Sequence, residues 1–202
     1  MALPATDNFN RAGPALGANW ATLTSQNAFV IDSSTKVIGG TGSNENCSYW
    51  SADAFNASHY AQCKIAANAI YASTDGGPAI CCQSGSESLI MLDYGEVVDT
   101  FRIYKCVTGT FTQVGSDISH TYSAAETYRI ESTGVGTSGT ITARYNGTSM
   151  GTATHPAAPT GGSAGMFQYF YSGKTSYYDD WEGGDVGTPA AGSILRQMIM
   201  NN

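Results

Sequence analysis

Residues 140–154 read TITARYNGTSMGTAT, two short runs of alternating character separated by Asn146-Gly147. Asn and Gly both accept the positive φ of a type I′ turn, so the stretch predicts a hairpin of strands Thr140–Tyr145 and Thr148–Thr154. A second hairpin is predicted around a Thr-Gly turn, with strands Thr100–Lys105 and Thr110–Val114. Other short runs rich in Val, Ile, Thr, Tyr and Phe stand between Gly, Asn, Ser and Asp clusters: Ala28–Asp32, Thr35–Ile38, Ser58–Ala66, Ala79–Gln83, Ser88–Tyr94, Thr127–Glu131 and Met166–Tyr171. No long segment carries a 3.6-residue apolar period, so the fold class is all-β. The last run, Tyr177–Asp185 (YYDDWEGGD), reads as the closing strand. Strict alternation puts Tyr177, Asp179 and Trp181 on one face and Tyr178, Asp180 and Glu182 on the other, with Gly183-Gly184 ending the strand.

The chain has 202 residues, enough for one well-filled β domain. Its 24 glycines, 12 tyrosines and 12% charged residues suit strands joined by turns. A net charge of −7 with nine scattered Lys and Arg argues against nucleic acid as a partner. The N-terminus lacks a basic segment followed by an apolar one, and no apolar run reaches the ~20 residues of a membrane span. Synthesis in the cytoplasm, with no signal peptide and no membrane partner, is the expectation. The five cysteines are odd in number and lack CxxC spacing, which predicts buried, reduced thiols, with Cys81 and Cys82 on opposite sheet faces.

Residues 1–186 are read as the sandwich, 187–192 (GTPAAG) as a linker and 193–202 (SILRQMIMNN) as an apolar C-terminal arm. Ile194, Leu195, Met198 and Ile199 would share one face of a short helix, with Met200 beside them. Such a segment either folds back on its own sandwich or docks on a neighbouring subunit.

Asp7-Asn-Phe-Asn-Arg11 and Leu16-Gly-Ala-Asn-Trp20 resemble the DxFxR…LGxxW opening of concanavalin A-like lectin/glucanase domains, the laminin G-like jelly rolls of phage virion and bacterial surface proteins. Tyr128-Arg-Ile-Glu131, Ala143-Arg-Tyr-Asn-Gly147, Gly161-Gly-Ser-Ala-Gly165 and Tyr178-Asp-Asp-Trp181 are similar to the successive back-half strands of that family. The resemblance implies a two-sheet antiparallel jelly-roll sandwich, and a short C-terminal extension follows it. Enzymes of the family carry an E-x-D-x-E or E-x-D-x-x-E run. Here Tyr178 holds the first position of Y-x-D-x-E, leaving Asp180 and Glu182 as the acidic pair. No nucleophile elbow accompanies His59, His120 or His155.

From these absences the chain is expected not to be an enzyme but a structural or adhesive surface module of a larger assembly. The expected assembly is a phage virion, with a role in capsid decoration or as a tail accessory and with neighbouring subunits and copies of itself as partners. The alternative is a carbohydrate-binding lectin module for cell-surface glycans, with Trp50, Tyr60, Tyr171 and Tyr178 as ring contacts. A divergent glycoside hydrolase stands third. No cofactor is assigned. Asp179, Asp180 and Asp185 could contribute oxygens to a structural calcium, although no D-x-[DN]-x-[DN]-G loop accompanies them.

Overall fold

In a computed structural model, the described residues are 3–32, 36–39, 45–66, 74–94, 99–124, 126–170 and 177–187. The strands in chain order are β1 (Ala5–Asp7), β2 (Trp20–Thr22), β3 (Phe29–Ile31), β4 (Val37–Gly39), β5 (Glu45–Trp50), β6 (His59–Ala66), β7 (Thr74–Cys82) and β8 (Leu89–Tyr94). They continue with β9 (Thr100–Val107), β10 (Thr110–Gln113), β11 (Ile118–Ser119), β12 (Thr127–Thr133), β13 (Thr140–Tyr145), β14 (Thr148–Thr154), β15 (Ser163–Phe170) and β16 (Tyr177–Asp185). The first sheet runs β14-β13-β12-β6-β16-β4-β3, with β1 also on β16. The second runs β10-β9-β8-β7-β15-β5-β2, with β11 on β9. The predicted all-β, two-sheet antiparallel sandwich is therefore the architecture observed.

Both predicted hairpins form. Asn146 and Gly147 sit at φ 44° and 81°, and Thr108 and Gly109 at 47° and 81°. Between the sheets the core gathers Trp20, Trp50 and Trp181, whose ring centroids lie 4.6–5.6 Å apart. Around them pack Phe29, Ile65, Ile80, Leu92, Phe101, Tyr128 and Tyr178.

The closing strand departs from its predicted alternation. Asp179 pairs with Lys64 and Glu182 with Gln62, so β16 carries an extra residue, and Asp180 takes φ 47°. This bulge turns both Tyr178 and Trp181 into the core, three positions apart. Nor do the glycines end the strand. Gly183 and Gly184 continue it to Asp185, and a Cβ on Gly184 would lie 3.0 Å from the Tyr60 ring.

A second apolar cluster occupies the other face of the second sheet. Along β8, Ile90 and Leu92 enter the sandwich, whereas Leu89 and Met91 join Leu23, Cys47, Ala79, Cys82, Cys106 and Phe167 on the far side. Cys81 and Cys82 divide between the two clusters, but a bulge sets Cys81 beside Ile80 in the sandwich and Cys82 with Ala79 on the far side, the reverse of what unbroken alternation would give. Phe111 on β10 and Phe167 on β15 bring their ring centroids to 5.2 Å. In a flat sheet four strand spacings would hold them about 19 Å apart. The second sheet thus curls diagonally into a groove filled by its own side chains. The curl coincides with a register shift between Ser163 and Gly165 and with Cys81 at φ 56°, whose N–H is held by His59 Nε2 at 3.0 Å.

Candidate functional site

Two faces compete for function. On the solvent face of the first sheet, Glu182 Oε1 accepts from the Tyr60 hydroxyl at 2.5 Å and from Gln62 Nε2 at 3.4 Å. Partial burial, then this carboxylate, push the Tyr60 phenol up from its ordinary value. An open cleft there is lined by Thr6, Asp7, Gln62, Lys64, Asp180 and Glu182 among others. Its charges are committed to one another: Asp180 to Lys64 at 2.7 Å, and Asp7 to Arg11 at 2.6 Å and to the Trp20 indole N–H at 2.8 Å. Next to it, Glu131 is bracketed by Arg129 at 2.7 Å and Arg144 at 2.6 Å. Among the described residues the cleft offers no free ring face, because Trp181 is buried and the Arg129 guanidinium lies 3.5 Å over the Tyr60 ring.

The groove of the second sheet has the opposite character. Tyr49, Tyr104, Phe111 and Tyr169 stand half-buried over its apolar floor. Glu45 on β5 and Glu87 in the β7–β8 turn lie at one end, both accepting from Gln26 Nε2 at 2.7 Å. The two carboxyls are close enough to share a hydrogen bond. Partial burial and then the Glu45 carboxyl raise the Glu87 acid above the usual glutamate value, against the lowering effect of Gln26. Flat rings beside hydrogen-bonding carboxyls are the combination that grips a sugar, apolar on its C–H face and polar at its hydroxyls.

Of the rings chosen from the sequence, Trp50 is 3% exposed, with its indole N–H donated to Asp53, and Tyr178 is fully buried against Phe29. Neither offers a face to a ligand, because the sandwich core claims both. Tyr60 lies on the outer side of the first sheet but is buried there, with Arg129 over its ring. Tyr171 and the arm residues Ile194, Leu195, Met198, Ile199 and Met200 lie outside the described residues. The three aspartates considered for calcium go to separate partners: Asp179 to Lys36, Asp180 to Lys64, and Asp185 to the Asn56 amides. Among the described residues no group of three or more His, Cys, Asp or Glu is arranged to hold a metal ion, and no helix is long and apolar enough to cross a membrane.

Sequence reasoning passed over the groove rings. Alternation in TFRIYK does set Arg102 and Tyr104 opposite Phe101 and Ile103, but nothing in that pattern says that the far face curls and closes.

Neither a protein-family model nor, at a significant level, a curated protein matches the chain. Solved structures do. A carbohydrate-binding module (CBM66) from Bacillus subtilis shares 10% identity at TM-score 0.60, covering 83% of this chain and 96% of that one. The Bacillus licheniformis β-glucanase shares 13% at TM-score 0.57, covering 89% and 96%. An endo-1,3-β-glucanase from Streptomyces sioyaensis shares 10% at TM-score 0.59, covering 90% and 95%. The similar structures are for the most part named as glucanases or glycosidases, which overturns the expectation that the chain is not an enzyme. A missing acid run on one strand does not set this chain apart from a fold that hydrolases share. The chain has the concanavalin A-like jelly-roll fold of carbohydrate-binding modules and glucanases.

Proposed function

We propose that this sandwich engages a glycan along the groove of its second sheet. The observation that carries the reading is the row of half-buried rings, Tyr49, Tyr104, Phe111 and Tyr169, ending at the Glu45 and Glu87 carboxyls. Similar structures named for β-glucans and for carbohydrate binding support a polysaccharide as the ligand class. The test is calorimetric titration with soluble β-glucans and related polysaccharides. Tyr49→Ala and Tyr169→Ala should each weaken binding about tenfold or more, as truncation of an aromatic anchor does. Arg144→Ala on the other sheet should leave it unchanged. Equal binding by all three variants, or none by the parent protein, would sink the reading. Reducing-end release in the same samples separates binding from cleavage; if it occurs, its loss in Glu45→Gln would place hydrolysis in the groove, and its loss in Glu182→Gln on the first sheet.

The second reading is a surface module of a phage virion, favoured by the apolar spacing of residues 194, 195, 198 and 199. Deleting residues 188–202 should then abolish incorporation into particles and leave glycan affinity intact. Normal incorporation of the truncated chain would end that reading.

A further inference from the structure

The groove assigned to the glycan is closed by the protein itself, and the closure has a fastening. Cys47, Ala79, Leu89 and Cys106 on its floor are unexposed, and Phe111 and Phe167 meet across it. What crosses from one rim to the other is polar: Gln26, from the segment after β2, donates both to Glu45 on β5 and to Glu87 in the β7–β8 turn. One amide therefore ties β5 to the β7–β8 hairpin, across the intervening strand β15. We propose that the Gln26–Glu45–Glu87 contact is a proton-operated latch, holding the Glu87 end of β8, β9 and β10 over the groove while the two carboxyls share a proton and releasing it when both are ionised.

The chemistry gives the direction. Two carboxylates within hydrogen-bond reach of each other cannot both ionise without repulsion, so the closed form binds a proton more tightly than the open one. Closure is favoured at acid pH, and opening increases as pH rises from the ordinary glutamate value through the raised one. The raised Glu87 acid agrees with this. Next to the pair, the Cys106 thiol of β9 donates its S–H to the Glu87 carbonyl, and Tyr169 of β15 lies across from Glu45. Burial pushes that thiol up to about 12, so it stays protonated through the range in question. Gly109 meets Glu87 as well, its N–H donating to the Glu87 carbonyl, and a Cβ there would lie 3.1 Å from Glu87 Oε2.

The proposal rests on the groove being the glycan face, but its test uses no glycan. Cys47, Cys82 and Cys106 belong to the groove, whereas Cys63 lies inside the sandwich. Maleimide labelling of the full chain, resolved by peptide mass spectrometry, reports groove opening as the groove-to-Cys63 ratio, which cancels the common pH dependence of thiolate formation. Between about pH 4.5 and about pH 7.5 the ratio should rise about fivefold or more in the parent protein. It should stay flat in Glu87→Gln, whose amide keeps both hydrogen bonds without a titrating charge. If Glu87→Gln does not fold, Glu45→Gln removes the same repulsion from the opposite rim. A ratio flat in the parent protein, or rising equally in the glutamine variant, overturns the latch while leaving the glycan reading to its own titration.

Discussion

His59 enters β6 with both ring nitrogens engaged, Nδ1 with the Asn56 carbonyl at 2.8 Å and Nε2 with the Cys81 N–H at 3.0 Å. An imidazole accepting at Nε2 is neutral, and burial holds its pKa below the ordinary 6.5. The unfolded chain therefore binds the proton more readily, so the stability tied to His59 is complete above about pH 6.5 and falls as pH drops below it. Denaturant midpoints should decline from about pH 7.5 to about pH 5.5, and His59→Gln should flatten that slope. A second residue-scale prediction concerns Gly184, where an added Cβ would press the Tyr60 ring at 3.0 Å. Gly184→Ala should cost about 1–3 kcal/mol by calorimetry, the usual penalty for overpacking.

At the scale of elements, β16 is decided by its bulge. Asp180 is exposed and sits at φ 47°, and its carboxylate makes a surface ion pair with Lys64. Asp180→Gly should thus change stability by less than about 1 kcal/mol, because relief of the positive φ offsets a weak ion pair. Deleting Asp180 restores strict alternation and drives Trp181 or Tyr178 out of the core, a loss of at least about 3 kcal/mol read from the unfolding midpoint. The β9–β10 turn gives the converse case. Thr108 occupies a left-handed position that suits Asn better, and Thr108→Asn should raise stability by about 0.5–1 kcal/mol. Both hairpins were legible because turn chemistry is local. β5 was not, since ENCSYW is covered on both faces, with Cys47 in the groove cluster and Trp50 in the sandwich, and so shows no alternation. β1 and β2, at three residues each, are too short to carry a pattern.

At the scale of the whole molecule, the second sheet serves two cores, and Phe111 shows how the smaller one depends on curvature. Phe111→Ala should cost about 2–3 kcal/mol, below the range for a fully buried ring, and should raise labelling of Cys47, Cys82 and Cys106 over Cys63 even at acid pH. The fold class and the two hairpins were determined by the sequence alone, because turn preference and a period of two act between near neighbours. Which rings stand at the surface was decided only by tertiary structure. A single extra residue in β16 reversed the side on which Trp181 lies, and the curl of the second sheet brought Phe111 to Phe167 and Glu45 to Glu87. Curvature and bulges accumulate over many strands, so no short stretch of chain contains them.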